Sequence, residues 1–80
     1  MCYYYIGDSM ENKIVIGGIY RHFKGNLYRV LEIALDSETL EEIVVYKDLY
    51  KDEKVWVRPK KMFLEEVNRN NQKYRFEIVD

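Results

Sequence analysis

Leu27-Tyr28-Arg29-Val30-Leu31-Glu32-Ile33-Ala34-Leu35 is the stretch on which the fold turns, because it admits two readings. Leu27, Val30, Leu31, Ala34 and Leu35 recur at helical spacing, with Asn26 standing where an N-cap belongs. The same residues also hold two strand phases, Tyr28-Val30 and then Leu31-Ile33-Leu35. Joining those phases takes a one-residue slip, which in a sheet is a β-bulge. Periodicity alone leaves both readings open.

The flanking segments lean towards strands. Gly17-Gly18 breaks the chain, Ile19 to Phe23 reads as a short strand, and Lys24-Gly25-Asn26 is a turn built from residues that tolerate positive φ. Downstream, Asp36-Ser37-Glu38-Thr39 is a polar turn whose Asp and Ser can bond their own backbone. The β-branched and aromatic run Ile43-Val44-Val45-Tyr46 marks a strand within Glu41 to Lys47. Asp48 to Glu53 is an acidic turn, and Val55 to Arg58 is a strand that Pro59 ends by withdrawing a ladder donor. Lys60 to Glu65 has the length of a single helical turn, and Asn68 to Lys73 is a polar loop. Tyr74-Phe76-Ile78 against Arg75-Glu77 gives the cleanest period-2 alternation, a strand expected at a sheet edge. The expectation is an all-β domain over 14–80, with five to six short antiparallel strands and one helical turn near residues 60–65. A chain this short favours one closed sheet over two packed ones. Residues 1–13 read as a peripheral N-terminal extension, with Met10 as an alternative start.

Eighty residues make one small domain, whose core has little redundancy. Eight Tyr, three Phe and one Trp compensate by bringing large buried areas in few side chains. The single Cys, Cys2, has no partner in this sequence for an intrachain disulfide, and neither a signal peptide nor a bilayer-spanning segment is expected from its apolar runs. The expectation is a cytoplasmic protein. A net charge of −1 argues against a dedicated nucleic-acid packager. Charge is nevertheless segmented: +3 over 18–30, −6 over 32–53 and +4 over 54–61. Those segments either form separate basic and acidic faces or pair across strands.

Tyr20-Arg21-His22-Phe23-Lys24-Gly25, Ser37-Glu38-Thr39-Leu40-Glu41, Val44-Val45-Tyr46, Leu49-Tyr50 and Trp56-Val57-Arg58-Pro59, taken in order, closely resemble a family of small bacterial domains of unknown function. The resemblance covers about residues 18–67. It implies an SH3-type β-barrel and, with that, a bent strand over Leu27 to Leu35. Asp36 departs from the family pattern, which commonly has His before Ser-Glu-Thr. The resemblance implies no particular activity. Gly18-Ile19-Tyr20 with Lys24-Gly25 and Tyr28-Arg29-Val30 also looks like the opening of KOW- and Tudor-type barrels, commonly RNA- or peptide-binding modules.

For catalysis, His22 with Asp36, Glu38 and Ser37 would make a base, an orienting acid and a hydroxyl. His22 on a strand next to Phe23 reads better as a packed or edge imidazole, and no nucleophile-elbow or phosphate-loop motif accompanies it. The domain is therefore expected to be non-enzymatic. One His and one terminal Cys do not supply a zinc site, and Asp48, Asp52 and Glu53 lack the spacing of a Ca²⁺ loop, so neither metal nor cofactor is expected. The binding reading rests on aromatics interleaved with cations, the combination that stacks bases and follows a phosphate backbone. Arg21, Lys24, Tyr28, Ser37, Glu38, Tyr50, Arg58 and Lys60 are the expected ligand-facing residues. Trp56 is expected in the core, because its area needs burial in so small a domain. The expected partner is single-stranded nucleic acid, with a protein or peptide bound in a groove or at a sheet edge as the alternative; no membrane is expected.

Overall fold

A computed structural model describes residues 14–80 of the chain. Its strands are β1 (Ile19–His22), β2 (Leu27–Leu35), β3 (Glu42–Asp48), β4 (Val55–Pro59), β5 (Glu66–Arg69), β6 (Gln72–Tyr74) and β7 (Phe76–Ile78). A single helical turn, α1 (Lys60–Phe63), lies between β4 and β5. The N-terminal extension expected over residues 1–13 lies outside the described residues.

The nine residues of β2 form one strand with a bulge. Against β3, Val30 pairs with Tyr46 and Glu32 with Val45, so Leu31 is the extra residue. The slip exchanges the faces: Tyr28 and Val30 point inward before it, Ile33 after it. Helical spacing in this segment is a by-product of that phase change. β2 is the centre of a five-stranded antiparallel sheet ordered β4-β3-β2-β1-β7, and β5 and β6 form a separate hairpin. The result is a small, all-β, barrel-like fold.

The strand alternation expected over Tyr74 to Val79 is divided at Arg75, which leaves Tyr74 in β6 and Phe76 at the start of β7. Arg75 spans the break through its backbone: its N–H donates to the Glu65 carbonyl (2.7 Å) and its carbonyl accepts from Phe23 N–H (3.0 Å). The polar loop expected over Asn68 to Lys73 is the tip of the β5–β6 hairpin, with Asn70 and Asn71 at φ 53° and 63°. Among the described residues the chain thus has seven strands rather than five or six.

The core is aromatic. Tyr20, Val30, Val44, Tyr46, Phe63 and Phe76 are buried in one cluster. Phe63, the last residue of α1, is fully enclosed; it stacks on Phe76 at 4.0 Å between ring centroids and meets the edges of Tyr20 and Tyr46 at 5.4 Å. A four-residue helix is too short to stand alone, so burial of Phe63 is what fixes it. Gln72, the one buried polar residue among those described, is satisfied by the Arg21 and Tyr74 carbonyls and by Arg21 Nε, which ties the β5–β6 hairpin to β1.

The segmented charge resolves partly into ion pairs between α1 and the residues that enter β3. Lys60 and Lys61 reach Glu42 (3.1 Å) and Glu41 (3.7 Å) at the far end of the β2–β3 hairpin. Exposed pairs of this kind each contribute at most about 1 kcal/mol.

Candidate ligand-binding face

One end of the core side, beside the β1–β2 turn and the β3–β4 loop, carries rings and cations that the interior does not cover. In an antiparallel ladder, directly opposed residues share a face. Register therefore places His22 with Phe76, Tyr28 with Tyr20, and Trp56 with Tyr46. Tyr28 is half-buried, edge-on to Tyr46 at 5.3 Å and to Phe76 at 5.6 Å. Arg58, opposite Val44, donates from Nε to the Tyr46 hydroxyl (3.2 Å), and its guanidinium carbon lies 5.9 Å from the Phe76 centroid. Phe76 thus has Arg58 on one side and the edge-on His22 ring, 4.9 Å away, on another.

The expectation that Trp56 is a core residue is corrected: its exposure is 48%, and Val55 and Val57 on the opposite face are more exposed still. β4 is an outer strand of the sheet, so nothing among the described strands packs beyond it. Its inward side therefore meets solvent along one flank. Trp56 is an accessible ring on the same side as Tyr46, with Arg58 two residues along that side.

His22 carries the main electrostatic signature. Its Nδ1 accepts a hydrogen bond from the Lys24 backbone N–H (3.1 Å), which leaves Nε2 to hold the proton of the neutral ring. Gly25 at φ 106° makes that turn, with its N–H on the His22 carbonyl at 2.7 Å. Burial, and then the charges of Arg58, Arg75 and Lys24, push the imidazole down to about 4. The ring is neutral at physiological pH and surrounded by cations. Arg75 is held by Glu65 through one terminal nitrogen (2.7 Å), while its buried Nε has no partner.

The eight residues expected to face a ligand are distributed over the molecule. Tyr28 and Arg58 meet on the core side through Tyr46 and Phe76. Lys24 and Tyr50 line, with Gly25, Asn26 and Leu27, a recess of about 300 Å³ at the same end of the sheet. Arg21 lies on the opposite face, exposed and bonded to Gln72. Ser37 and Glu38 sit on the exposed β2–β3 turn at the far end of the hairpin, where Asp36 Oδ1 accepts from the Glu38 (2.8 Å) and Thr39 (3.1 Å) N–H groups. Those two bonds hold the Asp36 carboxyl below its usual range. Lys60 is at that far end too, paired with Glu42. Half of the set, Lys24, Tyr28, Tyr50 and Arg58, therefore gathers at one end.

His22, Trp56 and Arg75 belong to this end and were not among those eight. Their signals in the sequence were the lone His beside a turn and a Trp on a short strand closed by Pro. Arg75 gave none, since it reads there as the outward residue of an alternating strand. Among the described residues no cluster of His, Cys, Asp and Glu is arranged to hold a metal ion.

Fold and face together define a small all-β domain with an accessible aromatic and cationic end. Residues 18–78 match the family model described as a protein of unknown function, DUF1653, and the chain belongs to that family. Its structure is similar to the crystal structure of a DUF1653 protein from Bordetella bronchiseptica, at 35% sequence identity and a TM-score of 0.70. That likeness covers 79% of this chain and 85% of the other. No curated protein matches the chain.

Proposed function

We propose that the domain is a non-catalytic binding module that takes single-stranded nucleic acid on the end carrying Trp56, Tyr28, Arg58 and Lys24. The observation that carries this reading is the half-exposed Trp56 ring beside an Arg58 that stands in no ion pair among the described residues. A base stacked on such a ring contributes on the order of 1–3 kcal/mol, and cations along the same side follow the phosphates. We read the sheet and its α1 turn as an SH3-type barrel, an analogy of fold.

Catalysis is the weaker reading for a specific reason. The Nδ1 lone pair of His22 is committed to the Lys24 N–H and its Nε2 bears the proton, so the neutral ring has no lone pair free to act as a base. The alternative of a protein or peptide partner draws support from β7, which among the described residues is an outer strand paired with β1 alone and offers an edge for strand addition. No described helix is long and apolar enough to cross a membrane. Action in the cytoplasm is part of the proposal.

Trp56 is the chain's one Trp, so its fluorescence reports the face directly. Titration with a mixed-sequence RNA oligomer is expected to quench it. With about three phosphates neutralised, affinity falls roughly 20-fold between 50 and 200 mM salt. No quenching at low salt refutes the nucleic-acid reading. Quenching by a peptide with little salt dependence transfers the face to the alternative.

A further inference from the structure

We infer that the face contains a phosphate-binding subsite, in which the Nε2–H of His22 donates to a phosphate group held among Lys24, Arg58 and Arg75. The inference rests on the binding reading above for where the phosphate comes from, but its geometry stands by itself. The four residues come from four separate segments, the end of β1, the β1–β2 turn, β4 and the residue between β6 and β7, and the charges of Arg58, Arg75 and Lys24 all act on the His22 ring. His22 and Arg58 approach the same Phe76 ring, at 4.9 and 5.9 Å. The Nδ1 bond from Lys24 N–H fixes the imidazole with its N–H on the other side of the ring.

The charge balance favours an anion. Lys24 and Arg58 stand in no ion pair among the described residues. Arg58 gives its Nε to the Tyr46 hydroxyl, which leaves both terminal nitrogens for another acceptor. The single carboxylate attached to this group is Glu65, which takes one Arg75 nitrogen and leaves the buried Nε without a partner. From β3, the Asp48 carboxylate stands opposite Tyr28 on this side of the sheet, where its Oδ1 accepts the Tyr50 N–H (2.8 Å). The charges that lower the His22 imidazole are those of Arg58, Arg75 and Lys24. A planar guanidinium fork and an imidazole N–H around one anion are the donor types that match a phosphate's oxygens.

An anion seated there cancels the field that keeps the imidazole neutral, so binding and ring protonation are coupled. His22 is the chain's one His, and its ring resonances report that coupling without interference. The experiment is an NMR titration of this imidazole in the full 80-residue chain, in chloride and in inorganic phosphate at equal ionic strength. Phosphate is expected to raise the titration midpoint by one unit or more from about 4. Arg58→Gln, and Lys24→Gln on its exposed turn, are each expected to shrink that rise. Equal midpoints in chloride and phosphate overturn the subsite, and so does a rise that survives both substitutions undiminished.

Two RNA oligomers, with and without a 5′-phosphate, distinguish the sources. A shift confined to the 5′-phosphorylated oligomer assigns the subsite to terminal phosphates; an equal shift assigns it to the backbone. An oligomer that quenches Trp56 while the imidazole stays unmoved overturns the subsite and leaves the binding module standing. An imidazole that moves with inorganic phosphate, while no oligomer quenches Trp56, does the reverse.

Discussion

Acidification from pH 7 to pH 5 destabilises this domain through His22. The folded imidazole titrates near 4, against 6.5 for an unperturbed His. At pH 5 the unfolded chain therefore carries this proton almost fully, and the folded chain hardly at all. The unfolded state binds more protons, so stability is fully present above about 6.5 and is lost as pH falls towards 4. The full shift corresponds to about 2 kcal/mol lost between pH 7 and 5. Because the ring is only partly buried, solvent screening brings the expected loss to about 1 kcal/mol. For a domain of this size that is roughly 4–8 °C in Tm. Urea unfolding followed by Trp56 fluorescence, in phosphate-free buffer at the two pH values, measures it. The control is His22→Gln, which removes the titration while keeping a side chain that can hydrogen-bond. If wild type and His22→Gln lose the same stability between pH 7 and 5, the account of the His22 environment is refuted.

Other outcomes follow from the packing. Phe63→Ala removes the ring stacked on Phe76 and costs about 3–5 kcal/mol, a large share of the total for a domain this small; a thermal melt within a few degrees of wild type contradicts the assigned core. Trp56→Ala leaves the far-UV circular dichroism spectrum native yet lowers affinity for single-stranded RNA about 5- to 150-fold, corresponding to one stacked base. Asp36→Ala speeds amide exchange at Glu38 and Thr39, whose N–H groups the carboxylate holds; unchanged exchange rates contradict that turn. Glu42→Lys replaces attraction to Lys60 by repulsion and costs less than about 1 kcal/mol, since the pair is solvent-exposed; a larger loss shows that Glu42 acts in packing.

The sheet was more legible in the sequence than the site. β3 announces itself by Ile43-Val44-Val45-Tyr46, and the helical turn by the short run after Pro59. The two strand phases of Leu27 to Leu35 were visible, although only the cross-strand register to β3 shows where the slip falls. Tyr74 to Ile78 shows how an alternating pattern hides a break: two different strands supply it, with Arg75 between them. Trp56 was misread because hydrophobic area forecasts burial on average, whereas exposure is set by whether a strand lies at an edge. Strand order is a non-local property that no window of sequence contains. The same limit split the expected face. Arg21 and His22 are adjacent in the chain yet on opposite sides of the sheet, and Ser37 and Glu38 lie a full β2 length from Tyr28.

The most direct test of the account is an amide NMR map of the labelled protein with single-stranded RNA. The account predicts shifts gathered at His22 to Tyr28, Tyr46 to Tyr50, Trp56 to Arg58 and Arg75 to Phe76, weakening as salt rises. Shifts gathered instead on the opposite face at Arg21, Val45 and Val57, or on the Ser37-Glu38 turn, contradict it.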